Sequence, residues 1–313
     1  MNKHTRLAAG ILVLVLMILI VATVSFSMNI SKKSATAQNS ASDTIVNPNG
    51  NEIIQGDDGL YGVADAAGNT ILEPEWERLS FIGTEYLAAA KGNRVGVLNL
   101  DGNVAAPFVY RDVYALTDFY YLAELADSDK VVLYDHDFCA ADAMLWDGST
   151  WEKPLLTLNC GTDAFQYSLE KEILQLVRVE LFRKTDAVSF TASAEKTDAA
   201  ALMPEEWIRC ADMMAEFLEM IKTQNFTRIS DLTGQENENA VLGGAVLQEE
   251  KAARVESALY LTVGQNDAGM PVLNWQAEVV LRGSENGTQT RILSVNMEKN
   301  NKQNWVITEA KYT

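Results

Sequence analysis

The hydrophobic pattern opens with one long apolar segment, Leu7–Val24, directly behind a short basic head formed by residues 1–6. A helix of this length, rising ~1.5 Å per residue, measures roughly 27 Å, which is close to the hydrocarbon thickness of a bilayer. The pattern predicts a transmembrane anchor or uncleaved signal over residues 7–28, with the head in the cytoplasm and the bulk of the chain outside. A small-residue motif that ends at Ala37 keeps open the alternative of cleavage and secretion.

Short alternating segments follow the anchor. Residues 29–52 are rich in Ser, Ala, Thr and Asn and predict a flexible linker. Residues 53–160 alternate apolar and polar positions between glycine turns, as short antiparallel strands do. Two stretches that begin at Leu60 and Arg94 align with an offset of 34 positions, and a third copy, Asp129–Asp137, has lost both glycines. Such a period predicts units that bury their apolar faces by stacking on neighbours.

This repeat resembles the WG repeat family, also called KWG, over residues 53–140. The matching positions are Tyr61-Gly62, Asp65, Gly68, Pro74 and Trp76 in one copy and Gly96, Asn99, Gly102, Pro107 and Tyr110 in the next. Tyr61 and Val95 replace the signature tryptophan, so the copies are divergent. The resemblance implies an all-β module of stacked short antiparallel strands that serves binding or structure, and it implies no catalytic residue.

From Pro204 the apolar residues follow a helical period. Pro204 suits a first helical turn, and Glu205 and Glu206 complement the helix dipole. The predicted apolar face comprises Trp207, Ile208, Ala211, Met214, Phe217, Leu218 and Ile221. A second helix is expected near 239–253. The strands of an antiparallel meander are predicted at Val255–Val263, Leu273–Leu281, Ile292–Met297 and Trp305–Tyr312. Residues 161–202 stay unassigned as β structure or linker, and the fold of 141–202 is left open.

A helix followed by a meander that ends at Tyr312 resembles the NTF2-like, or cystatin-like, α+β superfamily over residues 203–313. The resemblance implies a curved sheet around helices, with a conical pocket used for ligand binding, dimerisation or catalysis. Catalytic members place an acid-base residue such as Asp or His in that pocket, and this region contains no histidine. Trp275, Trp305 and Tyr312 either line such a pocket or fill the core, the commoner place for aromatic residues that alternate on a sheet face.

Charge narrows the choice of partners. The chain has 43 acidic and 25 basic residues, a net charge of −18, and its first 33 residues contain no acidic side chain. The remainder is therefore strongly acidic, which disfavours binding to nucleic acid and to anionic lipid headgroups. We expect this acidity to serve solubility, with attraction of cations or basic peptides as the alternative.

Few residues offer chemistry. Cys139, Cys160 and Cys210 form no C-x-x-C motif. Cys139 and Cys160 either pair in an oxidising compartment or, like Cys210, are free buried thiols. His4 lies in the basic head, which leaves His136, between two aspartates, as a metal ligand, a general base or a solvated strand end. One usable histidine is too little for a catalytic triad or a multi-histidine metal site. We therefore predict no catalytic, metal or cofactor-binding residue.

Other short motifs are expected to be structural. Gly283–Gly287 lacks the spacing of a nucleophile elbow and joins two predicted antiparallel strands. Asp57–Gly59 and Asp127–Asp129 do not continue into a calcium loop with a distal glutamate. Glu205-Glu206 and Glu249-Glu250 are adjacent pairs, so on a helix their side chains point apart and form no dyad.

Together these features predict a single-pass, non-catalytic binding or assembly protein of a bacterial-type cell envelope. Its expected partners are envelope proteins, with membrane contact only through the N-terminal helix and none with nucleic acid. One alternative is a ligand-binding or weakly catalytic pocket of hydrolase or isomerase type in residues 203–313. Another is a small-ligand sensor subunit, although six cytoplasmic residues are too few for an output domain.

Overall fold

The structure is a computed structural model, which describes residues 47, 49–170, 172–223, 225–233, 251–255, 258–282 and 288–312. All of them belong to one compact unit, Val46–Thr313. The predicted head, the anchor over residues 7–28 and most of the linker lie outside the described residues, as does the turn Gly283–Gly287. Among the helices that are described, none is both long and apolar enough to cross a membrane.

The described chain is mostly β structure, arranged in three sheets. Its strands are β1 (Glu52–Gln55), β2 (Tyr61–Ala64), β3 (Thr70–Trp76), β4 (Arg78–Ile82), β5 (Tyr86–Lys91), β6 (Arg94–Asn99), β7 (Val104–Ala115), β8 (Tyr120–Leu125), β9 (Val131–Asp135), β10 (Gly148–Glu152), β11 (Leu155–Cys160), β12 (Asp163–Glu170), β13 (Ile173–Lys184), β14 (Ser189–Glu195), β15 (Lys251–Val255), β16 (Ala258–Gln265), β17 (Pro271–Arg282), β18 (Thr288–Lys299) and β19 (Trp305–Tyr312). A 3₁₀ turn at Ala199–Ala201, helix α1 (Pro204–Thr223) and helix α2 (Ile229–Thr233) complete the described elements. Strands β1–β3 form the first sheet and β4–β9 the second. The third runs from β10 to β14 and on through β16 to β19, while β15 pairs with β17.

This architecture shows that the predicted fold class is wrong. We expected an all-β repeat module next to a separate NTF2-like α+β domain over residues 203–313. Instead, Thr191 and Ala192 of β14 pair in parallel with β16, so the C-terminal meander extends the sheet that begins at β10. Helices are a small part of a mostly β chain, and none of those described is the transmembrane helix of the prediction. Apolar periodicity is local, whereas pairing between distant strands has no periodic signature.

Most local predictions for the C-terminal region are confirmed. Helix α1 begins at Pro204 and buries its predicted face fully, except for the half-buried Ile208. Strand β19 has the predicted bounds, Trp305–Tyr312, and β17 and β18 contain the predicted segments. The helix expected near 239–253 is wrong in its last residues, because Lys251–Val255 is strand β15. The rest of that helix lies outside the described residues.

The sequence repeat is also a repeat of pairing register. Residue pairs of β2–β3 recur in β6–β7 at an offset of 34, as Tyr61↔Trp76 and Val95↔Tyr110, Val63↔Leu72 and Val97↔Ala106, Ala64↔Thr70 and Leu98↔Val104. The third copy pairs β9 with the segment that follows it through the bridges Val131↔Trp146 and Tyr134↔Ala140, at a further offset of 36. The copy that looks degenerate in sequence therefore keeps the register of the other two.

One type of turn closes all three hairpins. The turns are Asp65–Asn69, Asn99–Asn103 and Asp135–Cys139. In each, a side-chain oxygen of the first residue accepts a 2.8 Å hydrogen bond from the N–H of the fifth, and the fourth residue has a positive φ. Gly68 and Gly102 adopt this φ without strain, but Phe138 holds the position in the third turn, with φ 56°. A bulky residue keeps such a conformation only where its surroundings enforce it.

A glycine lets the strands of the first two hairpins cross closely. A Cβ at Gly62 would lie 2.4 Å from the carbonyl oxygen of Leu72, and a Cβ at Gly96 would lie 2.7 Å from the ring of Phe108. The third copy has Val132 at this position, and the opposing segment keeps two bridges instead of a strand. The valine side chain accounts for this looser pairing, because it occupies the space over which the opposing backbone passes in the other copies.

We expect Gly62→Ala to destabilise the folded protein by about 3 kcal/mol, because the backbone of β3 occupies the space that the new Cβ needs. Chemical denaturation of the purified protein, which measures the free energy of unfolding, tests this. Gly148→Ala is the matched control: nothing lies within 4 Å of its added Cβ, so the change should be below about 0.5 kcal/mol. Equal effects of the two substitutions would contradict the close crossing at Gly62.

Candidate functional site

Turns from three successive copies of the repeat meet on one surface. The β4–β5 turn lies beside the β6–β7 turn because Tyr86 pairs with Asn99. The β7–β8 turn lies beside the turn that follows β9 because Tyr120 pairs with Asp135. The ring of Phe138 joins the two pairs of turns, with its centroid 4.9 Å from that of Tyr86. We name this the turn surface; it comprises residues 83–86, 99–103, 117–119 and 135–139.

A column of aromatic rings runs from the core to the turn surface. Phe138 stacks on Tyr121, with centroids 4.6 Å apart and an interplanar angle of 17°. This contact buries the Phe138 ring and so compensates for its positive φ. His136 lies 6.3 Å from Tyr86 and 6.2 Å from Phe119. These three outer rings are half-buried, whereas Tyr121 and Phe138 beneath them are buried. Packing in the core therefore positions the rings that reach solvent.

The β4–β5 turn is shaped to accept the Tyr121 side chain. Gly83 has φ 66°, and a Cβ there would lie 2.9 Å from the Tyr121 hydroxyl oxygen. The same hydroxyl donates a 3.4 Å hydrogen bond to the carbonyl oxygen of Asp118. One core tyrosine therefore sets the spacing of two turns that come from different copies of the repeat.

The turn surface is acidic and carries no lysine or arginine. Its carboxylates are Glu85, Asp101, Asp118, Asp135 and Asp137. Lysine and arginine are absent from residues 79–90, 95–110, 112–129 and 131–152. The bases of the second sheet lie at the opposite strand ends, in the ion pairs Arg94–Asp127 at 2.6 Å, Arg111–Asp129 at 3.2 Å and Lys130–Asp147 at 2.5 Å. In the described part of the chain, the one close contact between a basic side chain and a carboxylate at the turn surface joins His136 Nε2 to Glu85 Oε2, at 3.7 Å.

Burial and the same carboxylates raise the pKa values of Tyr86 and Tyr121. Burial raises the pKa of Tyr86 above its ordinary value. Nearby carboxylates raise that pKa further; they belong to Asp137, Glu85 and Asp135. Burial also raises the pKa of Tyr121 to about 12. Both phenols therefore stay protonated at physiological pH, and the surface combines neutral aromatic rings with several negative charges. That combination attracts cations.

His136 is a packing residue in this arrangement. Its Nδ1 is buried with no hydrogen-bond partner among the described residues. Asp135 does not orient the imidazole, since its Oδ1 accepts the N–H groups of Asp137 and Cys139 and so caps the turn. No group of three or more His, Cys, Asp or Glu residues in the described ranges is arranged to hold a metal ion. Of the three roles considered for His136, the geometry is that of a half-buried side chain at a strand end.

The cysteines do not pair. Cys139 is exposed, Cys160 is half-buried and Cys210 is buried, and all three are free thiols. The expectation of buried thiols is therefore correct for Cys210 and wrong for Cys139, which follows the third turn at the surface. Burial raises the pKa values of the Cys160 and Cys210 thiols, so neither is activated as a nucleophile.

The aromatic residues expected to line a C-terminal pocket mainly fill the core. Trp275 is fully buried and lies 6.3 Å from Phe190. Trp305 is 3% exposed, and its Nε1 donates a 3.3 Å hydrogen bond to Oε1 of Glu206. Tyr312 is half-buried against the same core. The side chains of α1 pack on these strands, and Glu206 ties the helix to β18 and β19. Glu205, its neighbour, is exposed.

Asp142 is a half-buried carboxylate outside the region where sequence reasoning sought one. It occupies the position that Leu72 and Ala106 hold in the first two copies, next to the buried Trp146. Burial raises its pKa, Glu205 adds to the shift, and a hydrogen bond from the Met144 N–H offsets part of it. Asp142 therefore has the raised pKa of a partly buried acid, but it lies outside residues 203–313, where an acid-base residue of a pocket was considered.

A groove of about 510 Å³ lies between the end of β13 and the C-terminal half of α1. Lys184 and Glu219 are among its charged lining side chains, and four others are already paired. Arg183 contacts Asp163 at 2.7 Å and Asp212 at 2.5 Å, and Arg228 contacts Glu216 at 2.7 Å. Because these pairs satisfy each other, the groove offers a ligand less recognition chemistry than the turn surface does.

Sequence reasoning missed most of the turn surface. It considered His136 alone, whereas Tyr86, Phe119, Glu85 and Asp118 lie far from it in the chain and join it only in the fold. One signal was available in the sequence. Basic residues are confined to a few positions of the repeats, which indicates that one set of turns has no positive charge.

Comparison with known proteins does not assign this chain to a family. No protein-family model matches the sequence, and no curated protein shows significant similarity to it. Among solved structures, Kluyveromyces lactis Hsv2 aligns over 87% of this chain and 97% of its own length, with 7% sequence identity and a TM-score of 0.26. These values are too low to indicate a shared fold, and they do not bear on the WG-like or NTF2-like resemblance.

We expect the Asp142 carboxylate to make stability depend on pH. Its pKa is raised in the folded state, so between the ordinary value of 3.8 and the raised one the folded protein binds more protons than the unfolded chain. The contribution of Asp142 to stability should therefore be greatest below this interval and fall as pH rises through it. Asp142→Asn should remove that fall, which denaturation across a pH series measures. Asp129→Asn, at a side chain that is 97% exposed, should keep the wild-type profile; the same loss there would contradict the assignment.

Proposed function

We propose that this chain is a membrane-anchored, extracytoplasmic protein of the cell envelope that binds or assembles with a protein partner and catalyses no reaction. The observation that carries the proposal is the turn surface, where half-buried rings reach solvent together with carboxylates that have no lysine or arginine beside them. Turns on a rigid scaffold are a common location for binding residues, because the scaffold fixes their spacing. The repeated register and the capped turns supply such a scaffold here.

The anchor is supported by sequence pattern. The apolar segment over residues 7–28 is long enough for one span, and the linker over 29–52 separates it from β1. We place the basic residues that precede the anchor in the cytoplasm and residues 52–313 outside. The WG-like resemblance over 53–140 agrees with a binding role, since that family implies no catalytic residue.

Binding is favoured over catalysis by the state of the titratable groups. His136 is half-buried between aromatic rings, and the raised-pKa carboxylate of Asp142 lies against the core near Trp146. The strands that were expected to form a catalytic cone instead pack Trp275 and the face of α1 against each other. Hydrolysis or isomerisation needs an acid-base group or nucleophile that is positioned at a substrate pocket, whereas these groups lie between aromatic rings or against the core.

Topology is testable with protease added to intact cells that express the full-length chain. We expect a C-terminal epitope to be lost, because the anchor places residues 52–313 outside, while a cytoplasmic protein in the same cells stays intact. Immunoblotting measures both. Protection of the epitope until lysis would contradict the outside assignment. Release of the chain into the medium, with a new amino terminus near Ala37, would contradict the anchor and support secretion.

The binding surface is testable by placing a photo-reactive phenylalanine analogue at Phe119 of the full-length chain in membranes. We expect a defined protein adduct at this half-buried ring of the turn surface. The matched control is Tyr260, an aromatic residue of β16 that is 68% exposed and lies outside the turn surface. Equal adducts at both positions, or none at Phe119, would refute a binding role for this surface.

A further inference from the structure

The distribution of basic residues leaves the turn surface with a negative potential of its own. Strand β5 runs from Tyr86 at this surface to Lys91 at the opposite end, a span of roughly 17 Å at ~3.4 Å per residue. This distance exceeds the Debye length of about 8 Å at physiological ionic strength. The bases at the far end, which already pair with Asp127, Asp129 and Asp147, therefore do not neutralise the turn surface.

Aromatic rings add a second, independent feature that suits a cation. Tyr86 and Phe119 flank His136 at centroid distances of 6.3 and 6.2 Å and are half-buried rather than covered. Elsewhere this chain already places ammonium groups over rings: Lys91 lies 6.0 Å from the ring of Trp76, and Lys299 lies 5.6 Å from that of Trp305. The turn surface presents such rings without a lysine of its own, so a cation from a partner has both rings and carboxylates to contact.

We propose that the turn surface binds a lysine- and arginine-rich segment of a partner protein in extended conformation, an inference that rests on the binding function proposed above. The distance between the carboxylates favours a peptide over a small cation as the ligand. The carboxylates come from four turns on neighbouring strands, which lie ~4.8 Å apart. A single small cation contacts one or two of these carboxylates, whereas alternate side chains of an extended peptide, ~6.8 Å apart, reach several.

Glu85, Asp118 and Asp137 are the carboxylates that the peptide contacts. All three are exposed, and they come from three different turns around the ring of His136. The carboxylate of Asp135 is less available, because its Oδ1 caps the third turn. Electrostatic attraction therefore guides the peptide to the surface, and binding weakens as salt is raised. The rings of Tyr86 and Phe119 favour peptides in which basic residues alternate with apolar or aromatic ones.

The test measures fluorescence anisotropy of a labelled lysine- and arginine-rich peptide of about ten residues with the purified full-length chain. We expect saturable binding that weakens as salt is raised, and none to a peptide of the same length with citrulline and glutamine at the basic positions. Replacing Asp118 and Asp137 together by Asn should lower the affinity about tenfold. Phe119→Leu should lower it about threefold by removing the ring and keeping the charge.

The matched control is the double variant Asp127→Asn with Asp129→Asn, which makes the same charge change at the opposite strand ends. It should leave the affinity within about twofold of the wild type, and denaturation curves should show all variants folded. An equal loss in both double variants would overturn the proposal, because net charge alone would then explain binding. Equal binding of the citrulline peptide, or full displacement by millimolar choline, would overturn it as well.

The two proposals fail in distinguishable ways. A partner adduct at Phe119 that persists in the Asp118→Asn, Asp137→Asn double variant and at high salt would keep the binding function and refute a basic partner. Absence of the adduct together with absence of peptide binding would refute both. An adduct that is lost in this double variant, and kept in the Asp127→Asn, Asp129→Asn control, supports both proposals at once.

Discussion

The side-chain-capped turn that closes each copy of the repeat is the constraint on which the turn surface depends. An Asp or Asn at its first position bonds the N–H of the fifth residue, and this fixes where the next strand begins. Because the copies share one register, the turn that closes a hairpin of the first sheet recurs at Asn99–Asn103 and Asp135–Cys139 in the second. The two capped turns of the second sheet lie beside the β4–β5 and β7–β8 turns, and together these four turns bring aromatic and acidic side chains to one surface from positions that are far apart in the chain.

The third copy shows how a small change of sequence turns a repeat into a junction. Val132 replaces the glycine over which the opposing strand crosses, and the pairing shrinks to two bridges. Phe138 replaces the glycine of the turn and accepts a strained φ because its ring stacks on Tyr121. Beyond it, Trp146 enters the core shared with β11, β12 and α1. The same segment therefore ends the second sheet, supports the turn surface and leads into the third sheet.

In the second sheet, acidic and basic side chains are separated by the direction of the strands. Bases cluster at one set of strand ends and pair with Asp127, Asp129 and Asp147, while the acids of the turn surface have no such partners among the described residues. The chain has a net charge of −18. Some of its carboxylates form ion pairs within the fold, and others are exposed to solvent beside aromatic rings. Under the proposed function, the acidity that is presented to solvent serves binding in addition to solubility.

Local pattern in the sequence was sufficient for α1, β17–β19 and the offset between Leu60 and Arg94, because periodicity and turn residues act over a few neighbouring positions. It was insufficient for the fold class, because the pairing of β14 with β16 joins Ala192 to Leu259 across a long stretch of chain. The turn surface required the tertiary structure for the same reason, since Tyr86, Phe119 and His136 meet only when three copies pack together. What the sequence determined is the repeating unit; how the units pair, and which side chains they bring together, is decided by packing between strands that are distant in the chain.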